Sequence, residues 1–462
     1  MVKQTALANG VPRLRYVHAP RSGSGPARVA TFYDAMLDAL TSPLTTAERE
    51  GGRYVPPAQP RVLFEGTLSD AHSFFQQTKP VLMTGRSPIC VYSDGLPIVV
   101  PTESLVAEML AGTSHRPDEA ITLQSDRTDA RGPNKITRRK GTPVKFGPMN
   151  WTATVEKVAI NAVMAGCKPE YLPVVLAIAE SGCPTGTTTF WSEWQCVSGP
   201  IVKEIGMNTG YGMLDPGNPA NASIGRVYQL MAINLGGAVP GVNRMNSHGS
   251  PFNTGGTCFA ENVGGLPTGW KGLNEESGFG KNDSVVMVIH ETAIGVQGDQ
   301  FKPSSYRSLQ DSGTGGMAIR LGVEGKPGPH NWLRYLLPGM WANRLAPITF
   351  LMAPRMAKDL YNFGFKTKDD VYEWIYRQGF VSVGQMKRYA DFWTGRRDNS
   401  IEETSGKRWK DLPDDYMVPG VGKKPSDNCI IVGGTTEELC LELGGRGFFP
   451  DASPIYHIDP WR

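Results

Sequence analysis

Apolar residues recur at helical spacing in two neighbouring stretches near the middle of the chain. In residues 154–165 the apolar positions follow i, i+3, i+4, i+7 and i+8, at Val155, Val158, Ala159, Ala162 and Val163. Ile160 and Met164 make much of the remaining surface apolar as well, so we expect a helix that is buried on most sides and ends at Gly166. A second apolar helix is predicted over residues 173–180, with either Pro169 or Pro173 as its first residue.

Strands alternate with helices along the rest of the chain. Short apolar runs predict strands at 96–100, 284–290, 348–352 and 429–432, and helical patterns predict helices at 102–112, 222–235, 356–363 and 435–443. Asn221 is the predicted N-cap of the helix at 222–235. This alternation predicts an α/β fold, a layered sheet flanked by helices with long Gly/Pro-rich loops and an N-terminal arm.

The domain organisation follows from shifts in composition. Residues 1–60 are rich in Pro, Gly, Ser and Arg and contain one helical pattern, so we interpret them as an N-terminal arm that packs on a partner subunit. Residues 61–345 form the predicted main α/β region with the candidate site. Residues 346–462 form a predicted C-terminal α/β region that packs on the main region.

Composition and charge exclude several classes of protein. The net charge of +3 is too small for a nucleic-acid binder that works by bulk electrostatics, and 40% hydrophobic residues exclude global disorder. The first 20 residues lack the apolar stretch of a secretory signal, and the longest apolar run, 174–179, is too short to span a membrane. We expect a cytoplasmic homo-oligomer that binds a small molecule and neither nucleic acid nor membrane.

Familiar cofactor and metal motifs are missing from the sequence. No two of the seven cysteines are separated by only two residues, and no histidine pair has helical metal-binding spacing, so we expect no metal site. A dinucleotide-binding glycine motif, a P-loop and a Gly-x-Ser-x-Gly elbow are also absent. The sequence motifs therefore identify no cofactor, and the cofactor is unknown.

Cys167 is the first candidate for chemistry. It lies between the two apolar helices and precedes Lys168. The positive end of a helix dipole and a neighbouring lysine both favour the thiolate, which is the nucleophilic form of cysteine. The alternative is that a small residue is needed there for packing at a tight corner between helices.

A candidate anion site begins the helix predicted at 222–235. A turn-rich loop that leads into a helix presents free backbone N–H groups, and Asn221, Ser223 and Arg226 could add donors to a phosphate or carboxylate. The alternative is an ordinary capped helix with a surface arginine.

Polar residues in glycine-rich surroundings form the third candidate. Glu261 and Asn262 lie close to Cys258, and His248 lies ten residues before Cys258. If the loop folds back, Glu261 and His248 could transfer protons while Asn262 binds the substrate. Taken singly, each is more often a structural hydrogen-bonding group.

At these residues the sequence resembles the UGSC-motif (seleno)protein family, from about residue 85 to about residue 440. The most distinctive stretch is Thr154-Val-Glu-Lys-Val-Ala-Ile-Asn-Ala-Val-Met-Ala-Gly-Cys-Lys-Pro-Glu-Tyr171. Further similar segments are 94–102, 109–112, 117–118, 172–177, 199–200, 217–218, 220–226, 259–262, 276–279, 348–354 and 430–434. The family's name implies thiol or selenol redox chemistry.

The chain departs from that family pattern at three places. The selenocysteine(or Cys)-Gly-Ser-Cys tetrapeptide itself is absent. Pro219 stands where members of the family tend to carry Arg, and residues 249–257 lack an expected Lys. We expect this chain to have lost or respecialised part of the ancestral site.

Three functions follow as hypotheses. The first is an enzyme that acts on a small, anionic molecule through Cys167 as nucleophile or redox thiol. Asn221, Ser223 and Arg226 would hold the anion, and Glu261 with His248 would transfer protons. The second is a hydrolase or lyase that uses Glu261 and His248, with structural cysteines. The third is a non-catalytic binding subunit.

Overall fold

The computed structural model describes most of the chain. The described residues are 6, 13–17, 29–49, 60–81, 86–129, 136–185, 193–244, 257–290, 302–304, 328, 331–334, 348–389, 401–402, 404–444 and 455–462. The candidate residue His248 therefore lies outside the described residues.

Helices and strands alternate through the described parts of the chain. The helices are α1 (Tyr33–Thr41), α2 (Thr46–Arg49), α3 (Leu68–Phe75), α4 (Glu103–Leu110), α5 (Val155–Met164), α6 (Leu172–Ala179), α7 (Ile201–Glu204), α8 (Pro219–Asn234), α9 (Leu273–Glu276), α10 (Pro354–Asn362), α11 (Lys368–Gln378) and α12 (Val383–Tyr389). The strands are β1 (Thr78–Val81), β2 (Arg86–Cys90), β3 (Arg127–Asp129), β4 (Ile136–Arg138), β5 (Glu193–Ser198), β6 (Cys258–Ala260), β7 (Val285–His290), β8 (Lys302–Ser304), β9 (Ile348–Met352), β10 (Phe380–Ser382), β11 (Met417–Pro419), β12 (Cys429–Val432), β13 (Cys440–Gly444) and β14 (Ile455–His457).

Two four-stranded mixed sheets organise the described residues. The first sheet has the order β14-β7-β5-β6, in which only β5 and β6 are parallel. The second sheet has the order β12-β9-β13-β8, in which only β12 and β9 are parallel. The predicted α/β class is confirmed.

Apolar clusters lie on both faces of each sheet. Val286 and Val288 of β7 pack into the cluster that contains helices α5, α6 and α8, whereas Met287 packs between the two sheets with Ile431. On the outer face of the second sheet, Phe350 joins a cluster formed with α10 and α11. Successive residues of a strand point to opposite faces, so one strand supplies two cores.

The helices around the candidate corner follow the sequence pattern closely. Thr154 caps α5 by accepting a hydrogen bond from the Lys157 N–H, and Thr102 caps α4 in the same way through Leu105. The two prolines considered for the first residue of the next helix each lie at the start of a helix after α5. Pro169 begins a short 3₁₀ helix, Pro169–Tyr171, and Pro173 lies in the first turn of α6.

The predicted helix at 435–443 is wrong. Residues 435–439 form bends and loop, and β13 follows and pairs antiparallel with β9. The spacing of Thr435 and Glu438 resembled a capping box, but the alternation in Cys-Leu-Glu-Leu-Gly suits a strand, and the pairing with β9 decides the outcome. The predicted strand at 96–100 is also irregular backbone.

Strands cross the predicted boundary between the main and C-terminal regions. β8 precedes that boundary but belongs to the second sheet, and β14 follows it but belongs to the first sheet.

Helix α1, within the predicted N-terminal arm, buries none of its residues against the described chain. None of the described helices has both the length and the apolarity to cross a bilayer.

The corner before α6 requires close backbone approach from α4, which yields a stability prediction. A Cβ at Gly112 would overlap the carbonyl oxygen of Pro169, a backbone atom that cannot turn away. We expect Gly112→Ala to lower the free energy of unfolding by about 1–3 kcal/mol in urea titrations, as overpacked sites do. Gly210→Ala is the control, because its nearest neighbour would be Asn208 Oδ1 at 3.8 Å. Equal stability of the two variants would contradict the prediction.

Candidate functional site

Backbone hydrogen bonds place Cys167 at the corner between α5 and α6. Gly166 has a φ of +81°, and its N–H donates to Val163 while the N–H of Cys167 donates to Ala162. These two bonds form a Schellman motif, in which the residue after the glycine turns back toward the helix. Cys167 accordingly packs against the apolar cluster of α5, α6 and α8 as a half-buried residue.

Three chain segments meet at this corner. The side chain of Ser223 in α8 lies close to the Cys167 thiol and lowers its pKa. The Val99 N–H donates to the carbonyl of Met164, at the end of α5. One turn after Ser223, Arg226 binds the segment that leads to Val99. The thiol, the hydroxyl and the guanidinium therefore belong to one connected group of contacts.

Burial controls the protonation of the Cys167 thiol. It raises the pKa of Cys167 to about 12, and Ser223 opposes the rise only in part. Burial also raises the pKa of Cys258, at the start of β6, and the nearby Cys167 raises it further. The expected shift toward thiolate is wrong in sign, because desolvation outweighs the helix dipole and Lys168.

Asn221 lies inside α8 and fastens a loop over the start of that helix. The helix begins three residues earlier than predicted, at Pro219, so Asn221 is its third residue and not its cap. Its Oδ1 accepts from the Asn208 N–H at 3.0 Å, and its Nδ2 donates to the carbonyls of Asn208 and Met213. These bonds account for both of its amide protons, so its polar groups are engaged within the chain.

The other predicted anion-binding residues also have partners in the chain. Arg226 forms a two-pronged ion pair with Asp94 at 2.9 and 3.0 Å and donates to the carbonyls of Leu96 and Pro97. The Ser223 hydroxyl donates to the carbonyl of Pro219 at 2.6 Å. An anion would therefore have to replace Asp94 to reach the bidentate edge of Arg226.

Glu261 belongs to a buried charge cluster. Its side chain is 0% exposed, and its Oε1 accepts from Nζ of Lys368 at 3.3 Å. The same ammonium donates to Glu276 at 2.7 Å and to the carbonyl of Ile430 at 2.8 Å. Burial opposes the charge on Lys368, but the two carboxylates outweigh it and raise its pKa, so the lysine is charged.

Hydrogen bonds satisfy the remaining oxygens of the two carboxylates. Glu261 Oε2 accepts from the Ser198 hydroxyl and from the Leu273 N–H, both at 2.7 Å. Tyr372 donates its hydroxyl to Glu276 at 3.0 Å and accepts the N–H of Ile430. A carboxylate engaged by three donors and closed off from water is poorly suited to take a proton from a substrate.

The predicted site residues fall into two groups. Asn221, Ser223 and Arg226 share α8, and Ser223 contacts Cys167. Glu261 is joined to Lys368, and Asn262 folds the next turn by accepting the Gly265 N–H on its side chain and donating its own N–H to Val432. His248 lies outside the described residues, so its proposed partnership with Glu261 stays a prediction.

Sequence reasoning missed the partners of these residues. Asp94 is 132 residues from Arg226, and Lys368 is 107 residues from Glu261. A third group that could hold a metal ion comprises Asp283, His457 and Asp459. No local spacing reveals such sets, although Asp94 and Glu276 do lie in segments that carry the family resemblance.

No family model matches the chain, and neither does any curated protein or solved structure. The resemblance to the UGSC-motif family stays a prediction that rests on the motifs alone.

The cluster around Lys368 yields a prediction about stability. Lys368→Met leaves Glu261 and Glu276 without their cation, and breaking a buried ion pair from one side costs about 3–5 kcal/mol. We expect that loss in the free energy of unfolding measured by urea titration. Lys387→Met is the control, because Lys387 pairs with the exposed Asp414 and should cost about 1 kcal/mol or less. Similar costs for the two variants would show that the buried cluster is dispensable.

The raised pKa of Cys167 yields a prediction about pH. At pH 7.5 a pKa of about 12 leaves roughly one thiolate in 30,000, against about one in ten for a free cysteine. We expect the rate of iodoacetamide labelling at Cys167, followed by peptide mass spectrometry, to rise about tenfold per pH unit between pH 7 and 10. Ser223→Ala removes the contact that lowers the pKa, so labelling should slow further. A plateau near pH 8 would contradict this protonation state.

Proposed function

We propose that the protein is an enzyme that acts on a small, anionic molecule through the thiol of Cys167. The observation that carries the proposal is the position of Cys167 in a half-buried corner, beside Ser223 of the helix that also carries Arg226. A thiol that is neutral at rest and poorly hydrated becomes a strong nucleophile once it loses its proton. The substrate would have to trigger that loss.

Recognition of the anion is assigned to Arg226 within this proposal. A guanidinium that already binds a carboxylate in two-pronged geometry has the right shape for a substrate carboxylate or phosphate. Asp94 would then act as a stand-in for the substrate's anionic group and leave when the substrate binds. Asn221 would act indirectly, by holding the loop that covers the start of α8.

The setting of the enzyme is part of the proposal. We propose that it works in the cytoplasm as a homo-oligomer. The exposed apolar side chains of α1, among them Tyr33, Leu37 and Leu40, support contact between the arm and a second subunit.

A non-catalytic binding subunit is the second candidate. The neutral state of the Cys167 thiol and the engaged donors of Asn221 and Arg226 favour it, because both features are compatible with a purely structural corner. The hydrolase or lyase alternative would need Glu261 to give up Lys368, and no observation on the described residues supports that exchange.

The proposal is tested by assaying conversion of a panel of small carboxylates and phosphates by the purified chain. We expect Cys167→Ser to lower kcat by at least about a thousandfold, as the loss of a nucleophile does. Cys90→Ser, at the other half-buried cysteine, should leave kcat unchanged. An active Cys167→Ser variant would refute a reacting thiol, and an isolated chain that converts nothing but binds a catalytic partner would select the binding subunit.

A further pair of variants separates recognition from folding. Arg226→Gln and Asp94→Asn both break the same ion pair, so a purely structural role predicts similar loss of stability and no gain in binding. Recognition by Arg226 predicts a raised KM in Arg226→Gln and a lowered KM in Asp94→Asn, because the second variant leaves the guanidinium free for the substrate.

A further inference from the structure

Strand pairing brings three metal-ligating side chains together at one end of the first sheet. In the antiparallel pair of β14 and β7, His457 lies opposite Val285. Continuing this register by two residues places Asp459 opposite Asp283, and His457 and Asp459 are two positions apart on the same segment. One ligand atom from each of Asp283, His457 and Asp459 lies within 4.8 Å of the other two.

The spacing of His457 and Asp459 matches that of two adjacent ligands of one metal ion. His457 Nε2 and Asp459 Oδ2 are 3.1 Å apart. Two ligands at right angles around an ion, each about 2.1–2.2 Å from it, are separated by about 3.0–3.1 Å, and two opposite ligands by about 4.3 Å. His457 and Asp459 therefore have the spacing of adjacent ligands, and Asp283, within 4.8 Å of both, needs only a small side-chain movement to reach the same ion.

Other groups hold each of the three ligands in place. The Ser284 N–H donates to Asp459 Oδ2 at 2.7 Å, and Arg462 Nε donates to Asp459 Oδ1 at 2.9 Å. The Gly280 N–H donates to Asp283 Oδ2 at 2.7 Å. The ring of Phe279 packs on the ring of His457, with centroids 5.1 Å apart. Such outer contacts orient metal ligands and reduce the entropy lost on binding.

The local charge favours a divalent cation. Asp283 and Asp459 each supply one negative charge, and Glu204, bound to Arg462 Nη1 at 2.7 Å, supplies a third. The guanidinium of Arg462 offsets one of them, which leaves two negative charges in this group. Side-chain exposures of 29% for His457 and 30% for Asp459 leave room for water molecules as the remaining ligands.

We propose that Asp283, His457 and Asp459 bind one divalent transition-metal ion. One imidazole nitrogen and two carboxylates suit Mn²⁺ or Zn²⁺ better than Ca²⁺, which prefers oxygen ligands alone. The ion crosslinks the turn before β7 to the segment after β14. The site is independent of the Cys167 chemistry.

The test uses the full chain after EDTA dialysis has removed bound metal. The chain is titrated with MnCl₂ and with ZnCl₂ in a calorimeter, and the electron paramagnetic resonance signal of free Mn²⁺ gives a second measure of binding. We expect one ion per chain and a rise in Tm with metal concentration. Asp283→Asn and His457→Gln should each weaken binding at least tenfold, whereas Asp118→Asn, at an exposed carboxylate elsewhere, should not.

Two outcomes would overturn the proposal. One is the lack of saturable binding of either ion at 1:1 stoichiometry. The other is unchanged affinity in both ligand variants, which would leave His457 and Asp459 as a simple ion pair. Because Asp283 and His457 lie on different segments, misfolding of one variant, judged by circular dichroism without metal, leaves the other as a valid test.

Discussion

A charged lysine between two carboxylates joins the layers of this protein. Lys368 begins α11, outside the second sheet, and its ammonium reaches the backbone of β12 and the carboxylate of Glu261, which follows β6 of the first sheet. An ion of this kind is stable in the interior only when its partners are held in position, because each charge has lost its water. Both sheets and α11 must therefore adopt their observed relation for the charges to be satisfied.

That constraint also separates structural from chemical roles. The sequence predicted that Glu261 is a catalytic carboxylate. In the structure it is fully buried and accepts hydrogen bonds from three donors, so it crosslinks the elements that supply those donors. The Cys167 corner differs, because Cys167 is only half-buried. If the protein has chemistry at a thiol, desolvation at this corner is what the reaction must overcome.

Residues 455–462 join the first sheet to the helical cluster. β14 extends the first sheet, and Trp461 packs into the helical cluster, where its indole N–H donates to Glu180 at 3.4 Å. Burial raises the pKa of Glu180, and Arg127 opposes that rise. The same segment carries His457 and Asp459 to Asp283, so the proposed metal site depends on the pairing that completes the sheet.

The sequence by itself determined the elements whose signal is local. The burial pattern and bounds of α5 and α6, and the strands β7, β9 and β12, agree with its periodicity because each buries side chains at a regular spacing. Capping at Thr102 and Thr154 is equally local. Ser223 and Arg226 were predicted together because they share one helix, whereas Cys167 was a separate candidate set by a helix end.

Only the tertiary structure decided which charges meet. The pairs Arg226–Asp94 and Glu261–Lys368, and the grouping of Asp283 with His457, join residues far apart in sequence, and their contact depends on sheet order and helix packing. Residues 435–443 have a helical pattern in sequence, but the second half of this stretch forms β13 because it pairs with β9. Protonation of Cys167 likewise follows from how much water the packed layers exclude, which no local motif specifies.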